Sequence, residues 1–221
     1  MPTAVSRTKN ARSLRIPRRQ EQRTEITRLR LLRAAERIFA RDGFEASRLE
    51  DIVALAGYTR GAFYAHYATK EDLLFDLMER AVTEKVETLR TILSQAGDST
   101  ARWQALRAHY SRMACDRRWT LLSMEFKLFA IRHPAARQRL AGRYRHLREP
   151  GRALIAQLLT EVGRTLPVSI QAATATLGAT ANALLIESLV DSKAVAESEI
   201  PILLSLVFDA VLGSSSETTA T

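Results

Sequence analysis

Between residues 47 and 70 the chain gathers side chains suited to gripping a polyanion rather than to making or breaking bonds. The run Thr59-Arg60-Gly61-Ala62-Phe63-Tyr64-Ala65-His66-Tyr67 holds a hydroxyl, a guanidinium, three small residues and two phenols. Arg60 can donate to guanine or to phosphate. Thr59 and Tyr64 can donate to phosphates, as can the free N–H groups at a helix start. Gly61 and Ala62 are small enough to let backbone approach DNA closely, and Phe63 is expected in the core. His66 has no histidine four residues on and no nearby acid at metal-ligand spacing, so no metal role is assigned to it. Groove contact and capping stay equally open for that residue. No P-loop, dinucleotide fingerprint, nucleophile elbow, H-E-x-x-H or paired-carboxylate motif occurs. No catalytic residue, enzyme activity or cofactor is therefore expected. A single cysteine, Cys115, excludes an intramolecular disulfide framework and a multi-thiolate metal site.

The charge is distributed unevenly. The chain of 221 residues carries a net charge of +9, and +8 of it lies in residues 1–70. A basic head on a near-neutral body suits nucleic acid or an anionic membrane, or is simply a solvated arginine-rich surface. Residues 1–23 lack the apolar stretch of a secretory signal. The uncharged run 165–186 carries Thr, Ser, Gln and Asn throughout, and so reads as a buried helix rather than a membrane span. A cytoplasmic protein with no membrane partner is expected.

Helices must position these residues. Leu31, Ala34, Ala35, Ile38 and Phe39 fall on one face of a helix that begins near Glu25 and ends at Gly43. Ser47 and Glu50 form an S-x-x-E capping box for a second helix, which presents Leu49, Ile52, Val53 and Ala56 and stops at Gly57. Thr59 is a suitable cap for a short third helix from Arg60 to about His66. Thr69 and Asp72 start a fourth, which runs towards Gln95. Two short helices around Ala56-Gly57-Tyr58-Thr59 make a helix-turn-helix, whose second helix enters the major groove. Further helices are expected at about 100–115, 118–131, 135–163, 169–191 and 199–212. Pro150-Gly151 should kink or restart the longest of these.

The separated blocks Arg33-Ala34-Ala35-Glu36-Arg37-Ile38-Phe39, Asp42-Gly43-Phe44, Asp51-Ile52-Val53 with Ala56-Gly57, Thr59 to Tyr67, and Lys70-Glu71-Asp72-Leu73 resemble the DNA-binding domain of the tetracycline-repressor (TetR/AcrR-like) family over residues 25–80. The resemblance implies an all-α protein of about nine helices. A basic arm (1–22) would precede a three-helix DNA-binding domain (25–85, helix-turn-helix 48–67). An effector-binding and dimerisation domain (86–213) and a polar tail (214–221) would follow. By position, Ser47 and Arg48 would meet phosphates, and Thr59, Tyr64, Tyr67 and Lys70 would grip the backbone. Core packing is the alternative for the two tyrosines. Arg60, Gly61, Ala62 and His66 would face bases. Tyr58 departs from the family pattern, which has a small aliphatic residue there. The arm arginines Arg12, Arg15, Arg18, Arg19 and Arg23 would follow phosphates, enter a minor groove or only solubilise the chain.

The resemblance also implies an effector pocket in the middle helices and a homodimer paired through the last two. Trp103, Tyr110, Met113, Trp119, Met124, Phe126 and Phe129 are candidate pocket residues for an unidentified small molecule, with an ordinary core as the alternative. The basic run Arg132, Arg137, Arg139, Arg143, Arg145, Arg148 and Arg152 reads as a solvated helix surface, or as a face for an anionic ligand. Leu177, Ala181, Leu184, Leu203, Leu206, Val207 and Val211 are the expected dimer residues, although part of each helix must serve the internal core. The expected function is a regulator, most simply a ligand-responsive repressor, that reads a palindromic double-stranded DNA operator as a dimer.

Overall fold

The computed structural model describes residues 16–113 and 116–213. Most of the basic arm, Cys115 and the polar tail lie outside the described residues. Among the described residues are nine α-helices and no strand. They are α1 (Ile16–Asp42), α2 (Leu49–Ala56), α3 (Arg60–Tyr64), α4 (Lys70–Gln95), α5 (Ser99–Met113), α6 (Arg117–Arg132), α7 (Pro134–Glu161), α8 (Ile170–Val190) and α9 (Ile200–Leu212). The chain divides into two compact units, one ending at Leu73 and the other beginning at Leu74. The division thus falls inside α4, twelve residues before the expected boundary, because α4 from Leu74 onward belongs to the packing of the second unit.

In the first unit, local sequence and structure agree closely. Leu31, Ala34, Ala35, Ile38 and Phe39 are all buried, as the periodicity of α1 requires. Gly43 ends the approach of α1, and Phe44 folds back so that its ring meets Phe39 edge-on at 5.2 Å. Gly57 stops α2 at φ +74°, a left-handed conformation that favours glycine. Thr69 and Asp72 exchange hydrogen bonds at the start of α4, Thr69 N–H to Asp72 Oδ2 at 3.1 Å and Asp72 N–H to Thr69 Oγ1 at 3.1 Å.

Three expectations need correction. Ile16 to Gln22 belong to α1 rather than to an irregular arm. Ser47 does not cap α2. Arg48 occupies that position without a side-chain cap, and the Ser47 hydroxyl donates to the Phe44 carbonyl at 2.6 Å instead. The longest helix does not restart at Pro150, since α7 runs unbroken from Pro134 to Glu161. Proline removes one N–H from a helix that α5, α6 and α8 support from outside.

The second unit is built on one apolar cluster. Leu89, Leu106, Tyr110, Leu158, Leu177, Leu185, Leu204 and Phe208 are among its buried members. The Tyr110 hydroxyl donates to the Leu177 carbonyl, tying α5 to α8. Arg107 makes a two-pronged ion pair with Asp209 at 2.8 and 2.6 Å, tying α5 to α9. A fully buried polar chain joins α6 to α8. Thr120 Oγ1 donates to Asn182 Oδ1 at 3.2 Å, and Asn182 Nδ2 donates to Ser123 Oγ at 3.0 Å. By length and composition α8 is apolar enough to cross a membrane, yet its Ala173, Leu177, Ala181 and Leu185 are buried in this core.

Candidate DNA interface and ligand cavity

α3 is five residues long and takes its placement from its surroundings. Thr59 caps it, with Oγ1 accepting from the Ala62 N–H at 3.3 Å. Phe63 is fully buried and anchors the inner side. Thr59, Arg60, Gly61 and Tyr64 are exposed on the outer side, Tyr64 at 53%. Ala62 and His66 are half-buried beside them. Arg60 pairs with Glu50 of α2 at 3.0 Å. The Tyr64 hydroxyl and then the Glu50 carboxylate raise its pKa, so it is fully charged. The Tyr58 hydroxyl lies 3.3 Å from that of Thr27. The residue that departs from the family pattern thereby fastens the turn to α1.

Arg48 is exposed in front of α2. Arg30, Arg33 and Arg37 line a shallow groove of α1 beside Leu55 and Ala56 of α2, so much of the basic charge is clustered beside the helix-turn-helix.

Three residues expected at the DNA face point inward instead. Ser47 is 5% exposed and Tyr67 is 7% exposed. The ring of Tyr67 lies 5.5 Å from that of Phe63, inside the core. Lys70 is half-buried, and its ammonium donates to the carbonyls of Phe44 at 2.7 Å, Ser47 at 2.8 Å and Glu45 at 3.3 Å. It also sits 4.7 Å above the Phe44 ring. Burial lowers its pKa, opposed by Glu71 and Glu45. The Lys70 ammonium is a clamp on the loop that feeds α2.

The second unit contains a cavity of about 390 Å³, within the size range of small-molecule sites. Three of the seven candidate pocket residues line it, namely Tyr110, Met113 and Trp119. The other four lie elsewhere. Trp103 packs against Phe208 at 5.1 Å, Phe126 lies between Phe75 and Tyr144, and Phe129 meets His133 at 4.7 Å. Met124 is half-buried away from the cavity. Sequence reasoning did not single out Lys85, Lys127 or Asn182 for the polar part of the lining, which also includes His109, Arg148 and Arg152. Arg148 and Arg152 come from the run that reads as a solvated surface or as a face for an anionic ligand. His109 is buried. Desolvation, then Arg112 and Lys85, push its pKa down and keep it neutral.

Of the expected dimer residues, Leu177 and Ala181 are buried within the protomer. Leu184, Val207 and Val211 are partly buried against the same core, and Leu203 is half-buried. Leu206 alone is widely exposed, at 61%. Ile202 on α9 is exposed at 63%, and Ala172 and Ala183 are exposed on α8, whereas Ala175 and Ala179 line the cavity. Leu206 is thus the expected dimer residue left outside, while the other six are wholly or partly buried within the protomer.

Among known proteins, the family described as "Bacterial regulatory proteins, tetR family" matches residues 31–77. The HTH-type transcriptional regulator TtgR of Pseudomonas putida is 40% identical over 62 residues, covering 28% of this chain and 30% of that relative's length. The full fold is similar to a putative transcriptional regulator from Saccharomonospora viridis in complex with choline. That likeness has a TM-score of 0.64 at 19% identity, and covers 82% of this chain and 95% of the other. It is similar also to the transcriptional regulator FadR from Bacillus subtilis in complex with stearoyl-CoA. There the TM-score is 0.63 at 15% identity, with 83% and 97% covered. A helix-turn-helix with an exposed polar α3 face thus coincides with residues 31–77, the segment that matches the tetR family of bacterial regulatory proteins.

Proposed function

We propose that this chain is a ligand-responsive transcriptional repressor that acts in the cytoplasm and binds a palindromic DNA operator as a homodimer. The observation that carries this reading is the outward face of α3, Thr59, Arg60, Gly61 and Tyr64, held on a buried Phe63 within the segment that matches the tetR family. Arg60 and the small Gly61 and Ala62 approach bases, while Thr59, Tyr64 and Arg48 hold phosphates. One five-residue helix reads few base pairs, so a second copy supplies the other half-site, one helical turn or a multiple of it away. The exposed Leu206 and Ile202 of α9, with Ala172 and Ala183 of α8, are the surface for that copy.

The cavity is the effector site in this reading. Similar folds accompany choline in one regulator and stearoyl-CoA in another, which supports a small molecule here without naming it. A ligand in the cavity presses on Val82, Lys85 and Val86 of α4. The same helix begins at Lys70, the clamp on the loop before α2. Ligand binding therefore biases the first unit between DNA-competent and incompetent states through one continuous helix.

Genome-wide footprinting of the purified protein tests the reading. A two-fold symmetric footprint that survives excess non-specific DNA is expected. Binding that competitor DNA titrates away indicates a non-specific DNA-organising protein instead. In parallel, Leu206→Glu should convert a dimer to a monomer by light scattering while leaving the helical content unchanged.

A further inference from the structure

The cavity has a one-sided charge. Lys85, Lys127, Arg148 and Arg152 line it, and no aspartate or glutamate is among the lining residues. Lys85 is neutralised by Asp116 at 2.7 Å. The other three have weaker compensation or none. Arg152 is 8% exposed, and its buried Nε has no hydrogen-bond acceptor among the described residues. Its ion-pair contact among them is Nη1 to Glu149 Oε2 at 3.4 Å, and that carboxylate is 52% exposed. A buried guanidinium with so little compensation is costly, and a counter-anion at the part of it that lines the cavity offsets that cost. Arg148 lies four residues before Arg152, one turn along α7. Its Nη2 would be 3.8 Å from a Cβ at Gly178, so the missing side chain keeps space open beside that guanidinium. Burial, then Arg148, lowers the pKa of Lys127, as expected of cations held close together with too little counter-charge. The lining also has an apolar part, with Val82, Val86, Leu89, Leu106, Trp119 and Ile155.

We propose that the cavity binds an amphipathic anion, with a carboxylate or phosphate head at the Arg152 guanidinium, flanked by Arg148 and Lys127, and an apolar body against α4, α5 and Ile155. The inference rests on the reading of this cavity as the effector site. An onium ligand is disfavoured, since no lining carboxylate faces it.

Calorimetric titration of the full chain with decanoate, decyl phosphate, decan-1-ol and decyltrimethylammonium tests it. Both anions should bind at least 10-fold more tightly than the alcohol and the cation, and the tighter of the two identifies the head group. Arg152→Met keeps the side-chain volume and removes the buried charge. It should weaken the anions about 10- to 100-fold, leave decan-1-ol unchanged and not lower the thermal midpoint. Lys127→Gln, at a half-buried position, should weaken the anions several-fold and serves as a second variant. Equal binding of alcohol and anions, tighter binding of the cation, or no binding of either anion overturns the proposal. Operator affinity measured with each probe keeps the two readings apart. An alcohol that releases DNA while anions do not bind sinks the anion proposal alone. An anion that binds through Arg152 without moving operator affinity sinks the effector role alone.

Discussion

Replacing Lys70 by Met separates two roles that make opposite predictions. Methionine keeps the apolar stem over Phe44 and deletes the ammonium. The two short bonds lost run to the Phe44 and Ser47 carbonyls at 2.7 and 2.8 Å, with a longer one to Glu45 at 3.3 Å. Hydrogen bonds from a charged donor are each worth about 1.5–3 kcal/mol net. Half-burial of the ammonium offsets part of that, because desolvation disfavours its charged form. The expected loss is about 2–4 kcal/mol, which in a chain of this size lowers the thermal midpoint by about 5–15 °C. Circular dichroism melts measure it. The second readout is the salt dependence of binding to any duplex, followed by fluorescence anisotropy well below the melting range. A side chain that neutralises one phosphate contributes about −0.9 to the slope of log K against log salt. A clamp contributes nothing, so Lys70→Met should leave the slope unchanged while the midpoint falls. An unchanged midpoint together with a slope shallower by about 0.9 would refute the clamp and make Lys70 a phosphate contact.

Three further outcomes are expected. Phe63→Ala empties a fully buried site and should cost about 3–5 kcal/mol, with DNA binding lost in the same variant, as denaturant melts and anisotropy would show. Glu50→Gln removes an acid from the α3 face and releases Arg60. Both partners are exposed, so stability should change by less than about 1 kcal/mol while affinity for any duplex rises. His109 has its pKa lowered by burial, then by Arg112 and Lys85, so the unfolded chain takes up this proton first as pH falls. Its contribution is therefore fully present above about pH 6.5 and lost below it, towards the lowered folded value. The stability of a His109→Gln variant should fall less steeply than that of the parent below pH 6.5, and identical slopes would remove His109 from the account.

What the sequence disclosed was local. The Thr59 cap, the Gly57 stop, the Thr69–Asp72 exchange and the buried stripe of α1 each depend on residues a turn or two apart. What it concealed depended on distant neighbours. Nothing near Lys70 signals that its ammonium will meet carbonyls more than twenty residues earlier, and the burial of Ser47 follows from the same meeting. Tyr67 and Tyr64 are both tyrosines at helical spacing, and only the position of Phe63 sends one inward and leaves the other out. Trp103, Phe126 and Phe129 were indistinguishable by type from cavity residues, since aromatic rings fill cores and line pockets alike. Arginines recur around much of α7, so the sequence left the run open between a solvated surface and a face for an anionic ligand, and did not single out Arg148 and Arg152 as the two that line a cavity. α8 is apolar or small on nearly every side, which left Leu177 and Ala181 looking as available to a partner as Ala172 and Ala183.

The brevity of α3 sets a tolerance. Five residues rise about 7.5 Å, so displacing one end sideways by 1 Å tilts the helix by about 8°. A tilt of that size redirects every outward side chain of α3 at once. A rod this short has too little length to hold its own bearing, so its aim is stored in the mounts around it. These are the hydroxyl contact between Tyr58 and Thr27, the buried ring of Phe63 and the loop gripped by Lys70. Base choice in this chain is therefore exposed to errors at residues that touch no base, and a change at Thr27 can blur which sequence is read while every outward side chain stays the same.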